Sequence, residues 1–242
     1  MNLHIFETAE ETARAVAEEI LTKAIEKTKQ SLPFNIALSG GSTPKLLFKI
    51  LAEEYLSKVP WHFVRLFWVD ERCVPPTHAE SNFGMTFENL LKHVPIHDAN
   101  IFRMLGEVDP EKEAIRYQSL LEAQLTMSKN IPQFDMVLLG MGDDGHTASI
   151  FPGNLELLHS EAIVVVATHP TSGQERITLT GNIINEAKDV IFLITGASKA
   201  IILKQIFNRK SVSETYPTSY IHSKSGEATF YLDKAAASEL PQ

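Results

Sequence analysis

Cysteine is nearly absent: one thiol, Cys73, in 242 residues. No intrachain disulfide is available, and a reducing compartment suits such a chain. Long apolar runs are also missing. Ala162–Ala167 and Val190–Ile194 are among the longest, far short of the roughly 20 residues needed to span a bilayer as a helix. The start, Met1-Asn2-Leu3-His4-Ile5-Phe6-Glu7, carries no basic segment and no apolar stretch, so no secretory signal is expected. Basic clusters are lacking too. With 22 Lys+Arg against 30 Asp+Glu the formal net charge is −8, which argues against a nucleic-acid partner. No Gly/Ser/Pro-rich linker or internal repeat interrupts the chain, so residues 1–242 are read as a single domain. The expectation is a cytoplasmic globular protein with no membrane association and no obligate protein partner.

What is present alternates between two periodicities. Ala13, Val16, Ala17, Ile20, Leu21 and Ala24 recur at helical spacing behind Thr8-x-x-Glu11, a capping-box pattern. Phe34–Leu38 reads as a strand, and a second helix is expected to begin at Pro44. Further strands are predicted at Phe63–Val69, Ile101–Met104, Met136–Leu139, Ile163–Thr168, Ile177–Thr180 and Val190–Thr195. Helices are predicted at Asn82–Lys92, Pro110–Ser128, Ala197–Phe207 and from Asp233 onward. Strands rich in Val, Ile and Leu between helices point to a Rossmann-like α/β fold, a mostly parallel sheet with helices on both faces. Ligands of such sheets bind beyond the carboxyl ends of the strands, so the residues there are the candidates.

After Leu38 stands Ser39-Gly40-Gly41-Ser42-Thr43-Pro44. Gly40, Gly41, Ser42 and Thr43 at a helix start offer backbone N–H groups and hydroxyls to a phosphate. A plain strand-to-helix turn with a hydroxyl cap accounts for the same residues. After Val69 come Asp70, Glu71 and Arg72; Asp70 and Arg72 are candidate substrate-binding residues, and Arg72 suits a phosphate or carboxylate, or an internal carboxylate that orders the loop. Cys73 has no His at a spacing that would activate it. After Leu139, Gly140-Met141-Gly142-Asp143-Asp144-Gly145-His146 matches G-x-G-x-x-G, yet Asp143 and Asp144 would place two carboxylates where a pyrophosphate must lie. Asp144 and His146 instead read as an acid–imidazole pair for general-base work, or as a loop contact. Arg176 precedes a strand and is either an anion ligand or the partner of Glu175 or Glu186. Lys199 opens a helix, where a cation is disfavoured unless an anion is present. His93 and His97 are separated by Pro95, which breaks the helix that would align them on a metal. No G-x-S-x-G elbow occurs, so a hydrolase built on these residues would activate water.

On four segments the chain resembles the 6-phosphogluconolactonase family, in the larger group that includes glucosamine-6-phosphate deaminases. They are Leu38–Pro44; Trp68–Arg72 with Ser81-Asn82-Phe83-Gly84-Met85; Gly140–Gly153; and Arg176–Thr180 leading to Gly196 and Lys199. The stretch Thr147–Gly153 lacks the Glu that deaminase relatives carry after the His. Gln174-Glu175 stands where prolines are common, and Phe230 where a Trp is frequent. The resemblance implies hydrolysis of 6-phospho-D-glucono-1,5-lactone, a sugar-phosphate substrate and no metal or organic cofactor. It also implies His146 as base, with Arg72, Arg176, Lys199 and the glycine loop on the substrate. An amino-sugar-phosphate deaminase and a non-catalytic sugar-phosphate binder remain as alternative readings.

Overall fold

The computed structural model describes residues 2–208 and 211–240. In chain order its elements begin β1 (Asn2–Phe6), α1 (Ala9–Lys29), β2 (Phe34–Leu38), α2 (Ser42–Glu54), β3 (Val64–Trp68), β4 (Asp70–Arg72), α3 (Asn82–Asn89) and β5 (Ile101–Phe102). They continue with α4 (Pro110–Gln124), β6 (Thr126–Ser128), β7 (Ile131–Gln133), β8 (Met136–Leu139), β9 (Val164–Thr168), β10 (Glu175–Leu179), α5 (Gly181–Glu186) and β11 (Asp189–Ile194). The last are α6 (Ala200–Phe207), β12 (His222–Ser223), β13 (Gly226–Glu227) and β14 (Thr229–Asp233).

Seven strands form one sheet in the order β1-β14-β11-β8-β2-β3-β5, every neighbouring pair parallel. Period-two alternation divides their side chains between two cores. Ala37, Phe67, Val137, Leu139 and Phe192 face one core, with Tyr117 and Leu121 of α4 and Leu203 of α6. Ile36, Leu66, Trp68, Leu138 and Leu193 face the other, with α1 and α2. A sheet apolar on both sides must be covered on both sides, and it is. Thr8 caps α1, accepting from Glu11 N at 3.2 Å, although the Glu11 carboxylate reaches back to Glu7 N (3.1 Å) rather than to Thr8.

Several expectations are corrected. Val164–Thr168 and Glu175–Leu179 do not join the parallel sheet; with β4 they form an antiparallel sheet in the order β4-β10-β9. The run Phe63–Val69 ends at Trp68, and Asp70–Arg72 is a strand rather than a loop. The helix from Pro110 stops at Gln124, because Thr126–Ser128 turns back on β7 through Lys129 and Asn130, both at positive φ. No helix follows Asp233 among the described residues. That residue ends β14, and its carboxylate accepts from Gly196 N (3.0 and 3.1 Å) and Ala236 N (2.7 Å), holding the following chain in turns. Because β2, β3, β8 and β11 run parallel, Ser39–Thr43, the start of β4, the loop from Gly140 and the turn at Gly196 emerge along one edge.

Candidate active site

The glycine loop begins α2 two residues earlier than its proline suggested: the helix starts at Ser42, and Pro44 is its third residue. Gly41, at φ 109°, occupies a backbone region that L side chains rarely adopt, and no side chain caps the helix. Pro44 lacks an N–H and that of Lys45 bonds Gly41 O at 3.1 Å, so the N–H groups of Ser42 and Thr43 are the ones presented at the positive end of the dipole. Thr43 Oγ1 lies 2.9 Å from Thr195 Oγ1, tying this end of α2 to the end of β11. Gly40 is needed for space: a Cβ there would fall 1.7 Å from Asn82 Oδ1.

Across the cleft, pairing of β4 with β10 sets Arg72 directly opposite Arg176, and Asp70 opposite Thr178. Alternation puts these four on one face of the small sheet. Like charges in register repel, and neither arginine finds the internal carboxylate considered for it. Arg72 Nη1 donates to the Glu80 carbonyl at 2.6 Å; Glu186 pairs with Lys224 rather than with Arg176. The Nε of each is buried and has no hydrogen-bond partner among the described residues. Burial, then the charge of Arg72, lowers the Arg176 pKa, and its guanidinium lies 5.7 Å from the Phe151 ring centroid. Two desolvated, mutually repelling cations are a receptor for negative charge.

Asp70 lines the cleft but is committed internally: its carboxylate accepts from Asn82 Nδ2 (3.1 Å) and Ser149 Oγ (2.7 Å). Glu71, on the opposite face, is buried and anchors the start of α3, accepting from Asn82 N (2.7 Å), Phe83 N (2.8 Å), Ser81 Oγ (3.0 Å) and Arg72 N (2.8 Å). Burial raises the Glu71 pKa, while the N–H groups of Phe83, Asn82 and Arg72 oppose that shift.

The imidazole sits between these walls. His146 Nδ1 is 2.5 Å from Asp144 Oδ1, and the His146 backbone N–H donates to the same oxygen at 3.1 Å. The Asp144 pKa is lowered to about 2: burial raises it, but the hydrogen bond and charge of His146 outweigh that. An ionised Asp144 makes Nδ1 the protonated nitrogen and leaves the Nε2 lone pair free. The loop is fixed by Gly142 N to His146 O (2.9 Å), by Thr147 Oγ1 to Gly140 O (2.9 Å) and by Thr218 Oγ1 to Gly145 O (2.9 Å). Phe151 packs on the ring at 4.8 Å between centroids. Ala148 takes φ 48°, a strained value for a side-chain-bearing residue.

Lys199, the last residue before α6, has its anion within the chain: Nζ is 2.6 Å from Asp143 Oδ1. That pair resolves the misfit of a lysine at a helix start, and it lowers the Asp143 pKa. The cleft measures about 370 Å³ and gathers Gly40, Gly41, Ser42, Thr43, Asp70, Arg72, His146, Arg176 and Lys199 among its lining residues. Asp144 stands behind His146. Sequence reasoning did not assign roles to Asn82, Ser149, Asp143 or Phe151. Asn82 lies in the Ser81–Met85 segment and Asp143 beside the dyad, whereas Ser149 and Phe151 gave no signal apart from their motif.

A family model described as glucosamine-6-phosphate isomerases/6-phosphogluconolactonase matches residues 7–230. The chain is 43% identical over 206 residues to a 6-phosphogluconolactonase of Treponema pallidum, covering 85% of this chain and 84% of that one. It is 41% identical to a 6-phosphogluconolactonase of Haemophilus influenzae, covering 98% of each. The solved structure of 6-phosphogluconolactonase from Trypanosoma brucei superposes with a TM-score of 0.86 at 31% identity, covering 99% and 98% of the two chains.

Proposed function

The chain belongs to the glucosamine-6-phosphate isomerase/6-phosphogluconolactonase family, and from that premise we propose that it hydrolyses 6-phospho-D-glucono-1,5-lactone to 6-phospho-D-gluconate, with His146 activating water. The observation that carries the mechanism is the 2.5 Å contact of His146 Nδ1 with Asp144, which leaves Nε2 as a base in a cleft lined by three cations.

The C6 phosphate docks on the N–H groups of Ser42 and Thr43 at the Gly40-Gly41 turn, and on Lys199, with Arg72 or Arg176 assisting. Hydrogen bonds to a charged group contribute about 1.5–3 kcal/mol each, so a few give micromolar recognition. The anchor holds C1 of the lactone near His146. Water attacks the C1 carbonyl carbon while Nε2 takes its proton, and Asp144 stabilises the imidazolium. The carbonyl oxygen becomes negative and is held by loop N–H groups or an arginine. The C1–O5 bond then breaks, and the ring oxygen takes the proton back from His146. The carboxylic acid so formed ionises to solvent. Asp70 bounds the pocket and keeps Asn82 and Ser149 in place.

His146→Ala is expected to lower kcat by about 10²–10⁴-fold, the usual worth of a general base, with KM nearly unchanged. Freshly generated lactone followed in a pH-stat, corrected for spontaneous hydrolysis, gives both constants. Unphosphorylated glucono-1,5-lactone should be a far poorer substrate. An undiminished kcat in the variant removes His146 from the mechanism; equal kcat/KM for the two lactones removes the phosphate anchor. Ammonia release from glucosamine 6-phosphate in place of lactone turnover would overturn the reaction class.

A further inference from the structure

We propose that Asp143 is a built-in competitor of the substrate phosphate: its carboxylate occupies Lys199 until a phosphate displaces it, which weakens the affinity for phosphorylated ligands. This rests on the reading above, in which Lys199 belongs to the phosphate anchor.

The two partners are unequally placed. The Lys199 side chain is 18% exposed within the cleft, whereas that of Asp143 is 72% exposed at its mouth. A lysine removed from most of its water needs a counter-charge continuously; an aspartate that reaches in from solvent gives up little by swinging back. Lys199 also stands at the start of α6, where the helix dipole adds to the need for an anion. Asp143 answers both demands through Nζ at 2.6 Å.

A phosphate dianion supplies more charge and more acceptors than one carboxylate oxygen, so it outcompetes Asp143 for Nζ. It must still approach a negative group, and that repulsion together with the broken Asp143–Lys199 pair subtracts from its affinity. A substrate lacking the phosphate never contests Lys199 and incurs neither cost. Asp143 therefore weakens the grip on substrate and product phosphates alike, and it is next in sequence to Asp144, so its displacement is felt beside the base.

Asp143→Asn keeps the size and removes the charge. Releasing Lys199 from a partly exposed pair and removing the repulsion of a dianion both favour the phosphorylated ligand. For 6-phosphogluconolactone the expected result is a KM lower by roughly three- to tenfold, with the inhibition constant of 6-phosphogluconate falling in parallel. The KM for unphosphorylated lactone should shift much less, and raising the ionic strength should shrink the difference. An increase in KM for the phosphorylated lactone would mean that Asp143 only orients Lys199, and overturns the proposal. So does an equal change for both lactones. Lys199→Gln, measured alone and combined with Asp143→Asn, separates the two levels. If Lys199 holds the phosphate, the single variant loses selectivity for the phosphorylated lactone, and adding Asp143→Asn lowers KM by less than it does in the wild-type background. Unaltered selectivity in Lys199→Gln removes Lys199 from the anchor, whereas lost selectivity there with an unchanged KM for Asp143→Asn in the wild-type background rejects the role of Asp143 alone.

Discussion

Gly142 offers the most direct test of how closely the dyad is built. A Cβ added there would lie 2.2 Å from His146 Nδ1, 2.3 Å from His146 Cε1 and 2.7 Å from Asp144 Oδ1. Ordinary contact begins near 3.4 Å, so Gly142→Ala must displace the imidazole by about 1 Å or turn it away from Asp144. The backbone does not forbid the substitution, since Gly142 is not among the glycines at positive φ. The turn bonds, Gly142 N to His146 O (2.9 Å) and Gly145 N to Gly142 O (3.1 Å), involve only main chain and can survive. A misplacement of about 1 Å costs on the order of 10²-fold in rate. Loss of the Asp144 contact adds to it, up to the full worth of a general base, about 10⁴-fold. We expect kcat for the phosphorylated lactone to fall between these limits, with substrate KM within about threefold, since the anchor at Ser42, Thr43 and Lys199 is untouched. Initial rates in the pH-stat, beside a thermal melt and far-UV circular dichroism, provide the measurement. A folded Gly142→Ala protein with kcat within threefold of wild type would show that the observed His146 geometry is not the one used in catalysis.

Asp144→Asn should lower kcat by roughly 10²-fold or more, because an amide facing Nδ1 no longer fixes the tautomer or stabilises the imidazolium; an undiminished rate refutes the pairing. Because the native Asp144 pKa is about 2, below its ordinary 3.8, the carboxylate contributes stability above pH 3.8 that is lost only as pH falls through about 2. The acid limb of the wild-type kcat/KM profile between pH 4 and 8 therefore does not report Asp144, and a break in activity attributable to it belongs near pH 2. Far from the site, the buried Asp135 carboxylate accepts from Asn35 N (3.0 Å), Lys188 Nζ (2.8 Å) and Lys27 Nζ (2.5 Å). Asp135→Asn leaves two ammonium groups short of their counter-charge and should cost about 2–3 kcal/mol, read as a Tm lower by roughly 5–10 °C with kcat unchanged; an unaltered Tm refutes that accounting.

The parallel sheet was legible because its central strands are apolar on both faces. Phe34–Leu38, Met136–Leu139 and Val190–Ile194 owe their composition to being covered from both sides. β1 was not legible: it is an edge strand whose residues are exposed or half-buried, so Asn2–Phe6 carries no such imprint. Asp233 onward reads as a helix start because Asp-Lys-Ala-Ala-Ala has the composition of one. The Asp233 carboxylate is instead divided between Gly196 N, distant in sequence, and Ala236 N, a long-range bond that local propensity does not register. The β4-β10-β9 sheet escaped for a related reason. Asp70-Glu71-Arg72 has the charge of a solvated loop, and only its pairing with Glu175–Leu179 makes it a strand.

In the site, single residues were visible and their pairings were not. Strand ends and glycines pointed to His146, Arg72, Arg176 and Lys199, but nothing local announces that β4 and β10 set two arginines side by side. Opposed like charges in a ladder cost about 0.2–1 kcal/mol, more with each Nε desolvated, so something must hold a three-residue strand in that register. Glu71 does. Its side chain points to the face opposite the arginines, where four donors hold it and tie the strand to the start of α3. One of those donors is the backbone N–H of Arg72 and another that of Asn82, whose amide bonds Asp70. The two arginines are therefore held facing the cleft by a buried acid on the other side of the same strand. A net charge of −8 over the whole chain is no obstacle to binding one phosphate.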